Sequence, residues 1–194
     1  MHPNPAFRKA TREQNLAFAQ RIGFGMLTVP GDPWPLAAHV PFVAGDDGIE
    51  LHLARSNPIC RAAPAPALLA VSGVDAYISP DWYGVPDQVP TWNYIAVHLR
   101  GRLEPLPLET LRDHLDRLSD HFEAELAPKP IWKTAKMTPE VLDRMLRMIL
   151  PFRLVVEDVQ GTWKLSQNKP DDVRLAAADH VEDTVAALMQ EPPC

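Results

Sequence analysis

Four clusters in this chain of 194 residues carry side chains able to do chemistry. His39, His52 and His98 fall on strand-like sequence. Arg55, Ser56 and Asn57 stand directly before Pro58, where a short helix is expected to begin, and the free amides of that start beside Arg55 and Ser56 would make a seat for an anion or a phosphate. Residues 75–101 gather Trp82, Trp92 and all 3 tyrosines, Tyr77, Tyr83 and Tyr94. Pro80, Gly84, Pro86 and Pro90 punctuate and stiffen that stretch, so Trp82, Tyr83 and Trp92 are expected to form a preformed surface for a flat ligand or a partner subunit. The run KLSQNK over 164–169 places Lys164, Ser166, Gln167, Asn168 and Lys169 at a strand end, either as an exit loop or as the polar wall of a site.

Other chemistry finds little support. Ser79, Asp81 and a histidine are too generic to make a nucleophilic triad. His114 and His121 lie one above the other in helical phase and could bind a metal, but no carboxylate and histidine pattern accompanies them, and a solvated helix flank is expected. The net charge of -6 provides no general basic field for a polyanion. Cys60 and Cys194 have neither metal-ligand spacing nor a disulfide framework, which points to a reducing cytoplasm. The start, MHPNPAFRK, has no apolar signal segment and no run of about 18 apolar residues occurs, so a soluble protein without an export signal is expected.

The elements that must position these groups are short strands and amphipathic helices. Thr11 and Gln14 form a capping box for a helix over 12–22, with Leu16, Ala19 and Ile22 at helical spacing. Strands are expected over 26–29 and 36–43 as a hairpin across PGDPWP, then over 49–54, after a turn at 44–48. The apolar run 67–73 reads as a strand buried on both faces, and 76–79 as a separate strand. Over 94–99 and its lead-in, alternation puts Thr91, Asn93, Ile95, Val97 and Leu99 on a core face, with Trp92, Tyr94, Ala96, His98 and Arg100 opposite. Leu108, Leu111, Leu115, Leu118 and Phe122 mark an amphipathic helix, and Thr138 and Pro139 start another that carries hydrophobics to Ile149. The proline-containing linker over 123–137 is too long for a helix-turn-helix, and the second helix lacks a basic face. A hairpin is expected at 152–166 with its turn at Gln160 and Gly161, followed by helical sequence over 171–189 and a frayed tail. About seven or eight short strands with flanking helices and no Gly-rich dinucleotide turn make a mainly β (α+β) protein, a β-barrel with peripheral helices.

Four segments in order, HVPF at 39–42, HLARSNP at 52–58, YISPDWYG with VPTWNY and VHLRG within 77–101, and KLSQNK at 164–169, resemble the PaiB-type family of FMN-binding negative transcriptional regulators. The resemblance implies one FMN-binding split β-barrel domain over 1–194, pyridoxamine-phosphate-oxidase-like, with a helical insertion at about 108–149 and a C-terminal helix at about 171–189. It implies a homodimer with flavin sites at the interface. His52, Arg55, Ser56 and Asn57 would hold the phosphate, backbone groups near His39 and Val40 would address the ring edge, and Trp92, Asn93, Lys164 and Gln167 would come from the second subunit. An FMN-dependent oxidoreductase or sensor, a DNA-binding repressor without enzymatic activity, and a heme-binding split barrel are the functions it leaves open, with heme ranked below FMN.

Overall fold

The structure, a computed structural model, describes residues 1–45 and 48–192; part of the 44–48 turn, the end of the tail and Cys194 lie outside the described residues. Six strands make a closed antiparallel barrel in the order β1-β2-β3-β6-β5-β4. They are β1 (Phe24–Val29), β2 (Leu36–Gly45), β3 (Gly48–Ala54), β4 (Ala65–Ile78), β5 (Thr91–Pro105) and β6 (Ile149–Lys164). The helices are α1 (Arg12–Ile22), α2 (Ile59–Ala62), α3 (Leu111–Glu123), α4 (Pro139–Leu146), α5 (Asp171–Ala178) and α6 (Asp183–Gln190). The chain divides into two compact units.

The first unit, Ala19–Ala70 with Leu99–Asp158, holds the barrel closure. The expected β1–β2 hairpin forms with Met26 opposite His39 and Gly25 opposite Val40, and β1 also pairs β4 with Met26 opposite Ala70. Phe42, Leu51, Leu69, Leu99, Leu103, Phe152 and Leu154 fill the interior, and each fully buried side chain of this size contributes roughly 1.5–3 kcal/mol. β4 alternates rather than burying both faces, because a barrel strand has one side toward the interior and one away from it. α3 starts after a single 3-10 turn at Leu108–Thr110 and packs on β2 and β3. α4 stops at Leu146, and Ile149, expected in the helix, opens β6 instead.

The second unit comprises Met1–Phe18, Val71–His98 and residues 159–192. The capping box is present: Thr11 N–H donates to Gln14 Oε1 at 2.7 Å, and Gln14 N–H to Thr11 Oγ1 at 3.2 Å. Asn15 is buried as a hub, donating through Nδ2 to the Thr11 carbonyl and accepting from Trp163 Nε1 at 2.9 Å. Two expected interruptions are absent. The hairpin at 152–166 is one continuous strand, β6, and the 76–79 strand is the end of β4, so six strands replace the expected seven or eight. Gly161, expected in a turn, is instead a place of close approach, as is Gly73: a Cβ on Gly161 would collide with the Asn15 side chain, and one on Gly73 with the Phe18 ring. The helical sequence at 171–189 forms α5 and α6 with residues 179–182 between them. Ile78, Tyr83, Leu165, Ala177, Val185 and Met189 make the apolar core here. Arg174, 7% exposed, joins the two helices by donating to the Gln190 carbonyl at 3.0 Å and to Asp171 at 2.7 Å.

Candidate functional site

β3 ends in a turn that Asn57 closes, its N–H donating to the Ala54 carbonyl at 2.8 Å and its Oδ1 accepting from Ile59 N–H at the start of α2. Arg55 and Ser56 are exposed on this turn. The Arg55 backbone donates to the Met148 carbonyl and its Nε to the Arg147 carbonyl, both at 2.8 Å. With Nε engaged, the two terminal amines have no protein partner among the described residues, and such a pair of donors can grip two oxygens of a phosphate. Below the turn, Cys60 Sγ donates to the Ala54 carbonyl at 3.4 Å, and burial raises this thiol against the pull of a backbone hydrogen bond, Arg55 and Arg61.

His52 sits on the same strand, on the side covered by α3. Its Nδ1 lies 3.1 Å from Nε2 of His114, with the rings edge-on at 5.3 Å. His114 is 1% exposed, which corrects its expected place on a solvated flank: α3 lays this side chain on β3, against the half-buried ring of His52. Burial lowers both imidazoles. For His114 the neighbouring His52 and Arg117 add to the effect, Glu50 and Asp113 oppose it, and the value falls to about 4. Beside the pair, Glu50 receives Arg117 Nη2 at 2.5 Å and Arg153 Nη2 at 3.3 Å. Burial alone would raise its carboxyl, and the two guanidiniums outweigh it and hold it low.

On β2 the expected residues divide. Val40 is 2% exposed and belongs to the interior, whereas His39 is exposed and stacks near Phe24 at 6.3 Å. β2 is laddered to β3 only from Phe42 to Gly45, so the backbone at His39 and Val40 keeps that edge clear of β3 while its other edge pairs β1. Sequence reasoning passed over one cavity of about 500 Å³ in this unit, walled by Val29, Pro35, Pro66, Leu68 and Gly101 with Arg100 and Glu157 alongside. Its walls are single residues from separate strands and turns, and no local motif marks them.

The remaining expected residues lie in the second unit. Trp92 is 54% exposed and meets Tyr77 edge-on at 6.0 Å. Asn93 is fully buried; its Nδ2 donates to Ser166 Oγ at 3.0 Å, and Tyr83 Oη lies 3.1 Å from the same oxygen. The expected aromatic surface is therefore smaller than the sequence suggested, because Tyr83 is core and Trp82 stacks on His180 at 5.4 Å. Lys164 Nζ donates to the Trp92 carbonyl at 2.5 Å and to Thr91, and burial and then Lys169 lower its pKa. Gln167 folds back on its own strand end, accepting from Leu165 N–H at 2.8 Å and donating to the Trp163 carbonyl. Lys164 and Lys169 line a cleft of about 280 Å³ with Tyr83, Asn93 and Ser166. Among the described residues no cluster of metal-ligand type occurs.

The profile of a family described as "Putative FMN-binding domain" matches residues 1–158. The chain belongs to this FMN-binding domain family. It is of PaiB type within it, being 34% identical over 172 residues to protease synthase and sporulation protein PAI 2 of Bacillus subtilis, across 85% of this chain and 82% of that one. Solved structures agree on the fold. The FAD and heme binding protein of Mycobacterium smegmatis superposes with a TM-score of 0.59 at 19% identity, over 81% of this chain and 73% of its own. The flavocytochrome Anf3 of Azotobacter vinelandii superposes with a TM-score of 0.62 at 14% identity, over 84% and 72%. This FMN-binding domain protein is thus a split barrel, and membership of the family gives it a flavin as cofactor. No helix among its described residues is long and apolar enough to cross a membrane.

Proposed function

We propose that the chain works as a cytoplasmic homodimer, one split-barrel domain over 1–194 with the insertion at 108–149, that binds FMN on the β3 turn. Arg55 carries this reading, because its Nε is spent on the Arg147 carbonyl and its terminal amines remain for a phosphate. Ser56, Asn57 and His52 surround that position with donors on the same strand end. The clear edge of β2 at His39 and Val40 suits the ring edge of an isoalloxazine, which needs backbone donors and acceptors rather than charge. Flavin supplies electron transfer when bound, and these residues bind, orient and shield it. Trp92, half exposed beside Tyr77, is the surface offered to a second copy together with Lys164. Asn93 and Gln167, whose side chains are committed to Ser166 and to the strand end, shape that surface from behind. A free Cys60 thiol suits a reducing compartment.

The test is a titration of the purified chain with FMN, following tryptophan and flavin fluorescence, with Arg55→Ala in parallel. Saturable binding that weakens in the variant supports the site. A wild-type chain that takes up no FMN overturns it.

A further inference from the structure

The half-buried His52 and the buried His114 form an imidazole pair whose hydrogen bonding restricts what His52 can present. His52 Nδ1 and His114 Nε2 are 3.1 Å apart, so one proton lies between them. The other nitrogen of His114, Nδ1, is sealed in without a partner. The other nitrogen of His52, Nε2, has no protein partner among the described residues and is not among the sealed atoms, so it is the open end of the pair.

Two neutral arrangements satisfy the short contact. In one, His52 donates from Nδ1, which makes His114 Nε2 the acceptor and forces a proton onto its buried Nδ1. A donor would then be orphaned in the interior, the rarer and costlier defect. In the other, His114 donates from Nε2, its buried Nδ1 is a bare acceptor without a partner, and His52 must carry its own proton on Nε2. The second arrangement also leaves both rings in the tautomer that free imidazole side chains prefer. A charged pair is disfavoured on balance: burial, the second ring and Arg117 oppose a proton on His114, whereas Glu50, already shared by Arg117 and Arg153, and Asp113 favour it and compensate only in part.

We infer that His114 is a positioning residue that donates to His52 and thereby fixes His52 as a neutral Nε2–H donor, directed outward from the β3 end toward the phosphate of the bound cofactor. The direction toward phosphate rests on the function proposed above, whereas the fixed tautomer does not. His114 touches no ligand itself. Its effect passes through the ring of His52, as in metal sites where a second partner fixes a ligating histidine and its loss costs tenfold or more.

The experiment has two arms. Long-range ¹⁵N spectra of the ligand-free full chain at neutral pH, assigned with His52→Gln and His114→Gln, read the tautomers directly. The expected result is a bare Nδ1 and protonated Nε2 on both rings; a protonated Nδ1 on His52 overturns the inference whatever the flavin does. The second arm titrates FMN into wild type, His114→Phe and His114→Gln. Phenylalanine fills the space and donates nothing, so affinity is expected to fall about tenfold, and glutamine, which can donate, restores part of it. Wild-type binding with an unchanged, folded His114→Phe overturns the positioning role. Wild-type protein that binds no FMN overturns the flavin reading and with it the direction toward phosphate, and the spectra still decide the tautomer.

Discussion

Arg117 on α3 and Glu50 on β3 are joined by a contact of 2.5 Å, and Arg153 of β6 reaches the other carboxylate oxygen at 3.3 Å. Glu50 is 6% exposed, so this is how the helix is fastened over the strand that carries His52. Arg117→Met is expected to lower stability by about 2–3 kcal/mol, less than the loss of a whole buried pair because Arg153 stays. Urea midpoints of the two proteins measure it. An unchanged midpoint would mean that the pair is solvated.

Acid should loosen the same region. His114 falls to about 4 when folded against 6.5 when free. Above pH 6.5 neither state holds the extra proton and this contribution is flat. Between 6.5 and 4 the unfolded chain binds a proton that the folded chain refuses, so stability declines with falling pH, by up to about 3 kcal/mol. Glu50, held low, adds a loss below its free value of 4.5 in the same direction. Thermal melts from pH 7.5 to 4.5 should show the decline in wild type and a flatter profile in His114→Gln.

Arg55→Lys separates charge from shape. Lysine keeps the cation but cannot both donate to the Arg147 carbonyl and offer a fork. FMN affinity is expected to drop roughly tenfold while riboflavin, which has no phosphate, binds as before. Equal losses for the two ligands would place the phosphate elsewhere.

The Ser166 hydroxyl serves both Tyr83 and Asn93 in the interior of the second unit. Tyr83→Phe removes one bond at little change of volume and should cost about 1 kcal/mol. Asn93→Ala leaves a cavity and unmatched polar groups and should cost more, about 2–4 kcal/mol. Chemical denaturation that ranked the two in reverse would contradict the network.

Trp92→Ala is expected to weaken self-association, read by sedimentation at several concentrations, since more than half of that indole is open to solvent. A variant that stayed dimeric and kept FMN would remove Trp92 from the interface.

Where a feature is built by neighbours in the chain, the residues alone determined it. The capping box at Thr11 and Gln14 closes as its spacing requires, and the alternation along β5 buries Asn93, Ile95, Val97 and Leu99 as a period of two demands. The four-segment pattern likewise identified the family. Only the tertiary structure decided what distant partners do. Gly161 has the local character of a turn, yet it sits within a strand because Asn15 of α1 occupies the space a side chain would need, and Gly73 gives way to Phe18 in the same manner. His114 keeps a polar helix position in sequence, but α3 packs it onto β3 against His52, and no local period can report a neighbour on another element. Burial and hydrogen-bond partners are properties of the packed chain, so the fold and cofactor class were legible from sequence, and the chemistry available to each histidine was set by packing.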